Sequence, residues 1–496
     1  MNKQLILMKK YINYLLFASV LSTTYSCKNF LDVEPTNAVD ADKAIITAND
    51  AQIAINGIQR QMTSSSYYGR NFIAYGDAKG GDVTLYSQGR GLDAFYTFNH
   101  NAQTNNFSSF WTSIYNIIYQ TNNLLENIEK LKASGSIENF DLAKSEALTI
   151  RALANFDLVR LYGKSYTDDK NAFGIPNLTK TLAYNEQSLR ATVDENYKQI
   201  LSDLKTAETG LPKTKRDGYL NYYANKAIQA RVYLTMGDYN NALLAAEEVI
   251  NNNPIYSLYT NAAWVTSWQS QFGSESIYEL VIEPNQADLG RNSLGFYFMR
   301  RNHQTGALGN FLASTPFLNA LNADLSDVRR GVMARDESSA ARLGSCYKYL
   351  GSTTFSGDKG TSNYTAVNIK VIRLSELYLI AAEAALKAST PNPTKAATYL
   401  QAIHKRSAGL PAIDARSVSE ALILAEKSKE FFGEGIRYFD MIRLNKTINF
   451  DDAFAGIDIP TREQAINRSF SRTILPISQE EINANPPIKA QQNPGY

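Results

Sequence analysis

The sequence predicts a mainly α-helical protein, built from tetratricopeptide-like helix pairs in a superhelical scaffold with a large irregular, loop-rich portion. Three observations carry this. Apolar residues recur at steps of three and four through many separate stretches. The segment from Asn225 to Pro254 has the residue spacing of a tetratricopeptide repeat. Long stretches between the periodic segments are rich in aromatic residues, in a chain with 30 Tyr, 22 Phe and 3 Trp. Aromatic content of that kind argues for order.

The chain opens on Lys3, Lys9 and Lys10, a mostly apolar segment from Ile12 to Leu21, the small and polar residues 22–26, and Cys27. This is the pattern of a secretory signal. Its apolar core of about ten residues is too short for a bilayer that requires roughly 20. A cysteine at the cleavage point predicts lipidation, with residues 1–26 removed and Cys27 as the acylated first residue. Thr24 stands where such signals usually carry Leu. A stable anchor needs at least two acyl chains. Removing residues 1–26 leaves 470 of 496, and subtracting their three lysines changes the formal charge from +2 to −1. A near-neutral chain without runs of like charge gives no electrostatic reason to expect nucleic acid as a partner. The chain has two cysteines. With Cys27 acylated, Cys346 has no disulfide partner, so packing must hold the fold.

Helices follow in order. Asn49-Asp50 reads as a cap before Ile55, Ile58 and Met62 on one face. Trp111, Ile114, Tyr115, Ile118, Asn122, Leu125 and Ile128 form a second apolar face, and Ala147, Ile150, Ala154, Leu158 and Leu161 a third, stopped by Gly163. Ile200, Leu201, Leu204 and Ala207 precede a Gly210-Leu211-Pro212 stop. In the repeat-like segment, Ala230, Tyr233, Gly237, Tyr239, Ala242 and Pro254 predict two close antiparallel helices that turn at Gly237-Asp238. Arg373 to Lys387 and Lys395 to Ser407 form another pair around Pro391-Asn392-Pro393, and Ser419 to Leu444 reads as one long helical stretch. Such pairs bury their apolar faces only against neighbours, which predicts a stack. Residues 64–108, 255–311 and 344–366 read as long irregular segments, with a short strand at Ser276 to Ile282. The end, Asn485 to Tyr496, reads as an extended tail.

Little in the chain points to catalysis or metal binding. His100, His303 and His404 lie far apart, and no cysteines sit at ligand spacing. Gly163-Lys164-Ser165 lacks the earlier glycine of a phosphate loop and ends a helix instead of opening one. No Gly-x-Ser-x-Gly elbow occurs. Glu430, Glu434, Arg437, Asp440 and Arg443 recur at steps of four and three, which predicts an ion-pair ladder within or between helices. An acid flanked by arginines stays ionised and makes a poor proton donor. Glu376 and Glu383, near Arg373, read the same way. No metal or cofactor is expected.

These pieces, in this order, resemble the SusD/RagB family of surface lipoproteins in bacterial nutrient uptake. The resemblance runs from Cys27-Lys28-Asn29-Phe30-Leu31-Asp32 through Trp111 to Glu126, Arg151-Ala152, Phe156, Arg160-Leu161-Tyr162-Gly163, Ile175-Pro176 and Leu211-Pro212. It continues with Gly237-Asp238-Tyr239, then Ile372 to Ile380 (IRLSELYLI) with Ala382-Glu383-Ala384. Glu434-Gly435 with Arg437, Asp440 and Arg443, and finally Gln492-Asn493-Pro494-Gly495-Tyr496, complete it. The chain departs from the family at Lys427, where arginine is usual, at Phe431 for Leu, and at His404 for Arg.

The resemblance implies a SusD-like fold: a signal peptide at 1–26, an N-terminal helical-repeat region at 27–250, and a C-terminal region at 251–496 with irregular loops and closing helices. It implies a binding protein and not an enzyme. Such a protein is lipid-anchored on the outer membrane facing outside, and passes an oligosaccharide, or in some members a peptide, to a SusC-like TonB-dependent transporter. A surface glycan hydrolase is the competing reading, since carboxylates are plentiful. Aromatic rings stack on sugar faces at low entropic cost, and polar neighbours select hydroxyl orientation. On these grounds the expected ligand-binding residues are Asp82 and Asn99 as hydrogen-bonding groups, with Tyr86, Tyr96, Trp264, Trp268 and Tyr297 as stacking rings.

Overall fold

The computed structural model describes residues 45–86, 91–103, 105–283, 292–298, 308–334, 342–349, 367–455 and 457–496. Cys27 and its signal, His303, and most of the 284–366 loops lie outside the described residues.

The first helix, α1 (Ala48–Met62), begins one turn earlier than Asn49-Asp50 suggests. Thr47 caps it: its hydroxyl accepts from the Asp50 amide at 3.2 Å, and the Asp50 carboxylate accepts from the Thr47 amide at 2.8 Å. This reciprocal box satisfies two otherwise orphaned donors. Helix α2 (Asn71–Ala78) follows, then α3 (Asn105–Ala133) and α4 (Asp141–Tyr162). Gly163 stops α4 with φ of −100°, so handedness is not its role. A Cβ there would sit 2.9 Å from the Val159 carbonyl oxygen, and only glycine permits that approach.

Next come α5 (Val193–Ala207), α6 (Tyr222–Met236) and α7 (Tyr239–Asn251). The predicted repeat turn is present: Gly237 has φ of 75°, and Asp238 caps α7 by accepting from the Asn241 amide. Helix α8 (Thr315–Asn322) lies among the loops, and α9 (Leu374–Lys387) and α10 (Pro393–His404) form the later pair. Arg373, expected inside α9, is instead the extended residue before it. Along the stack α1 packs on α3, α3 on α4, α4 on α5, α5 on α6, α6 on α7, α7 on α9, and α9 on α10. Residues Thr47–Tyr496 therefore form one compact unit, and the α7–α9 contact bridges the boundary expected near 250.

The long helix expected over Ser419–Leu444 is two helices, α11 (Glu420–Phe431) and α12 (Arg437–Arg443). Gly433 and Gly435, at φ of 83° and 76°, break it. The reason is contact with α2. A Cβ on Gly76 would lie 2.0 Å from the Gly435 carbonyl oxygen, while the Gly435 amide donates to the Asp77 carboxylate at 3.0 Å. A continuous helix would carry side chains into that contact.

The irregular segments hold more structure than their composition suggests. Strand β1 (Val83–Leu85) pairs antiparallel with β3 (Phe311–Ala313), and β2 (Ser276–Leu280), the predicted strand, pairs with β6 (Ile369–Arg373). Two shorter ribbons join β4 (Met333–Ala334) to β5 (Ser345–Cys346) and β7 (Ile448–Asn449) to β8 (Ala465–Ile466). The C-terminal segment is not an extended tail. Residues Pro486–Gln491 form a 3-10 helix, and the Asn493 side-chain amide donates to the carbonyls of Tyr162 and Leu475 at 2.7 and 2.6 Å. Arg190 in turn donates to the Asn493 side chain at 2.9 Å. Tyr496 donates to the Ile474 carbonyl at 2.9 Å and sits 2.6 Å from His100, which is buried beside Lys79.

The charged residues expected on one helix face are divided between interhelical networks. Arg373 donates to both oxygens of Glu434 at 2.8 Å and to Glu430 at 2.9 Å, and reaches Glu275 at 3.2 Å. Arg406 reaches Glu275 at 2.6 Å and lies 3.0 Å from Glu430. In a second cluster, Arg443 grips Glu383 with two bonds of 2.7 and 2.6 Å and also donates to Asp440, while Lys427 reaches Glu383 at 3.0 Å. Glu376 takes its two bonds from Arg231, both at 2.6 Å, and not from Arg373. The departures from the family pattern are absorbed here. Lys427 is an ion-pair member, and His404 bonds Glu426 at 2.9 Å.

Removing one member of such a cluster leaves an unpaired buried charge. Arg443→Ala should cost roughly 3–5 kcal/mol in denaturant unfolding; a loss below about 1 kcal/mol, the scale of an exposed pair, contradicts this account. The networks also set an acid limit. Burial would raise Glu383, Glu426 and Glu430, but Arg443 and Lys427, Arg329 and Lys429, and Arg406 and Arg373 respectively outweigh it and hold each carboxyl well below the ordinary 4.5. A depressed carboxyl stabilises the fold above its unfolded value and loses that contribution as pH falls through the folded one. The thermal midpoint should therefore fall progressively once pH drops below about 4.5; a flat midpoint from pH 7 to pH 3 is the contrary result.

Candidate functional site

The β1–β3 ribbon carries an open rim. Its register places Leu85 opposite Phe311, and the Tyr86 amide extends the pairing to the Asn310 carbonyl at 2.7 Å. The strand is pinned from below, where Thr84 and Tyr96 both donate to the Asp451 carbonyl, at 2.5 and 2.9 Å. The Asp451 carboxylate accepts from the Thr315 amide at 2.7 Å, tying the ribbon to the start of α8. Beside it, the Arg342 guanidinium lies 4.5 Å from the centre of the Phe454 ring and donates to the Ala313 carbonyl. Tyr86, Arg342 and Phe454 are all half-buried, so each keeps part of its surface open. Half-open rings and a guanidinium along such a ribbon are groups able to stack on and hydrogen-bond a polyhydroxylated ligand.

The seven residues expected at the site separate into three groups. Tyr86 is on the rim, and Asn99, just past the short helix Asp93–Thr97, is exposed. Asp82 is nearby but committed: its carboxylate accepts from Ser428 at 2.7 Å and lies 3.2 Å from Arg437, and its carbonyl accepts from the Ser314 amide. It clamps the ribbon to α11 and α12. The remaining four, Tyr96, Trp264, Trp268 and Tyr297, are buried. Their rings have no open face to offer a ligand in this arrangement, which corrects the expectation that they form a stacking platform.

Each burial has a physical cause. The Tyr96 hydroxyl donates to Asp452 at 2.8 Å, and Arg462 covers its ring at 4.8 Å. Burial, reinforced by Asp452, drives its phenol far above the ordinary value, so it stays a neutral donor. Trp264 reaches Glu430 at 3.4 Å, and Trp268 packs against it with ring centres 5.9 Å apart. Both serve the arginine network: Lys348 and Arg373 lie 4.4 and 5.1 Å from the Trp268 ring. Tyr297 lies beneath Arg70, 5.3 Å from its ring centre. Arg342, Phe454 and Asp451 were absent from the expected set. They fall outside the three segments read as irregular, and only their packing on the β1–β3 ribbon, through Ala313, Thr84 and Thr315, associates them with it. Among the described residues no group of His, Cys, Asp or Glu could hold a metal ion. Cys346 is buried, and burial pushes its thiol up to about 11.

Two family patterns match the chain. Residues 182–496 match the SusD family, and residues 29–234 match a family described as starch-binding, associating with the outer membrane. A SusD superfamily protein of Bacteroides thetaiotaomicron, known from its crystal structure, is 35% identical, with a TM-score of 0.82 over 90% of this chain and 100% of that one. SusD-like protein P2 of Formosa agariphila is 25% identical over 99% of this chain and all of its own length. A solved laminarin-binding SusD-like protein shares the fold, with a TM-score of 0.67 at 23% identity over 90% of this chain and 99% of its own. On the family match over residues 182–496 and the 35% identity with the Bacteroides protein, the chain belongs to the SusD family.

Proposed function

We propose that this protein is a lipid-anchored outer-membrane protein that captures an oligosaccharide at the β1–β3 rim and delivers it to a SusC-like TonB-dependent transporter. Family membership is the observation that carries this reading, and the rim's open aromatic and guanidinium groups supply the chemistry. The ring of Tyr86 or Phe454 would cover an apolar sugar face. Arg342 and Asn99 would hydrogen-bond hydroxyls at the margin. The ribbon is held at Asp451 and Asp82, so the rim is preorganised and binding need not order it. A laminarin-binding relative with the same fold makes a β-glucan a reasonable first probe.

The state of the best-organised carboxylates supports binding without cleavage. A glycosidase requires a carboxylic acid able to give up a proton beside a second carboxylate. The best-organised acids here, Glu383, Glu426 and Glu430, are buried and held ionised by arginines and lysines. The second part of the proposal concerns the anchor: acylation of Cys27, with at least two chains, would hold the protein at the membrane. Among the described residues no helix is long and apolar enough to cross a membrane.

Two measurements test this. Tyr86→Ala combined with Arg342→Ala should weaken retention on a laminarin affinity gel, or on whichever glycan an array identifies, by about tenfold, equivalent to ~1.4 kcal/mol. The thermal midpoint should stay unchanged, and unchanged retention in the double variant removes the rim as the site. In cells fed radiolabelled palmitate, the wild-type chain should take up label in the membrane fraction and Cys27→Ser should not; equal labelling of both overturns the anchor.

A further inference from the structure

A cleft of about 420 Å³ opens where the end of α4 meets α12 and the loop over residues 468–474. It shares no lining residue with the β1–β3 rim. Its size lies within the roughly 300–1,000 Å³ of small-molecule sites. Phe439 and Phe470 line it half-buried, each with part of the ring open, over a floor that includes buried Tyr197 and Ile474. Ser165, Ser469 and Ser471 bring hydroxyls to the wall.

The charged groups at this cleft are unlike those of the buried networks. Arg468 and Asp168 pair at 3.2 Å with about a quarter of each side chain exposed (25% and 30%), and Lys164 lies 4.0 Å from Asp169 with 43% of each exposed. Exposed pairs of this kind are worth about 0–1 kcal/mol, so their donors and acceptors can turn to a ligand at small cost. Arg160 is different. Its side chain is only 10% exposed, its guanidinium lies 4.3 Å from the Phe439 ring centre, and its buried Nε has no hydrogen-bond partner among the described residues. Arg443 is fully engaged by Glu383 and Asp440 and offers nothing further.

Every cation lining the cleft has its own carboxylate, so nothing here favours an anion. A carboxylate–guanidinium pair beside hydroxyls and open rings suits a ligand whose groups both donate and accept and which has an apolar face. We infer that this cleft is a second saccharide site, sized for a neutral mono- or disaccharide unit and independent of the β1–β3 rim. The inference rests on the reading of the chain as a carbohydrate-binding protein, and its test separates the two.

Maltose, cellobiose and laminaribiose are titrated calorimetrically into the mature protein whose rim is disabled by Tyr86→Ala and Arg342→Ala. At least one should bind with a dissociation constant of about 1 mM or tighter. Phe470→Ala and Arg468→Ala should each weaken that binding about fivefold or more, and Ser471→Trp, which fills the cleft from an exposed position, should abolish it. Binding that survives Ser471→Trp overturns the inference, as does the absence of binding by all three sugars. Binding seen in the wild-type protein but absent from the rim double variant also overturns it, while supporting the rim as the one site. A protein that keeps the cleft response but loses nothing on the polymer gel in the rim variant refutes the rim alone.

Discussion

The fold depends on burying charge in networks of opposite sign. Around Glu430, three arginines and a lysine converge from separate parts of the chain: Arg329 after α8, Arg373 at the end of β6, Arg406 after α10, and Lys348 after β5. A buried carboxylate is costly unless ionic and hydrogen-bonding partners surround it, and the geometry must be good for the cost to be offset. Each arginine therefore fixes the distance between two or three elements within narrow limits. Glu275, bonded by both Arg373 and Arg406, ties the β2–β6 ribbon to the same centre. Such a cluster is weak evidence for high stability. It is stronger evidence for a single permitted arrangement, since any slip of one element would strand a charge.

That constraint explains where the aromatic residues go. Trp264 and Trp268 lie against the guanidinium and ammonium groups of the network. Indole rings shield those cations from water while attracting them through the ring face. Elsewhere, Tyr67 and Tyr68 both donate to the buried Asp157, at 2.5 and 2.7 Å, and Tyr75 packs edge-on against Phe95, Phe110 and Tyr438. Much of the aromatic content between the helices is therefore mortar, joining the helical stack to the irregular portion. Among the described residues only a minority of these rings keep part of a face open, and those are the ones on which the proposed site draws.

The helical stack and the ribbon portion then divide the labour. The stack supplies a rigid support in which each helix buries its apolar stripe against the next. The ribbons, pinned by Asp82, Asp451 and Glu275, present loops whose backbone is fixed at a few points. A site built this way can vary in its loop tips without disturbing its base.

The sequence by itself determined the helices, their pairing and the family. Periodic apolar faces, the Gly237-Asp238 turn and the ordered motifs are local or near-local signals, and each helix must bury its stripe wherever it finds a neighbour. The ion-pairing of Glu430, Glu434, Asp440 and Arg443 was also legible, because alternating charges at helical spacing demand partners. Their partners were not, since Arg373, Arg406 and Lys348 approach from distant parts of the chain. The break at Gly433 and Gly435 was decided by a contact with Gly76 more than 350 residues earlier in the chain. The same holds for the candidate site. Composition showed that rings and polar groups lie between the helices, but which rings face water is a property of packing. Tyr96 and Trp264 have the same local appearance as Tyr86, and only the carboxylates that claim them, half-buried Asp452 and buried Glu430, decide that they face inward.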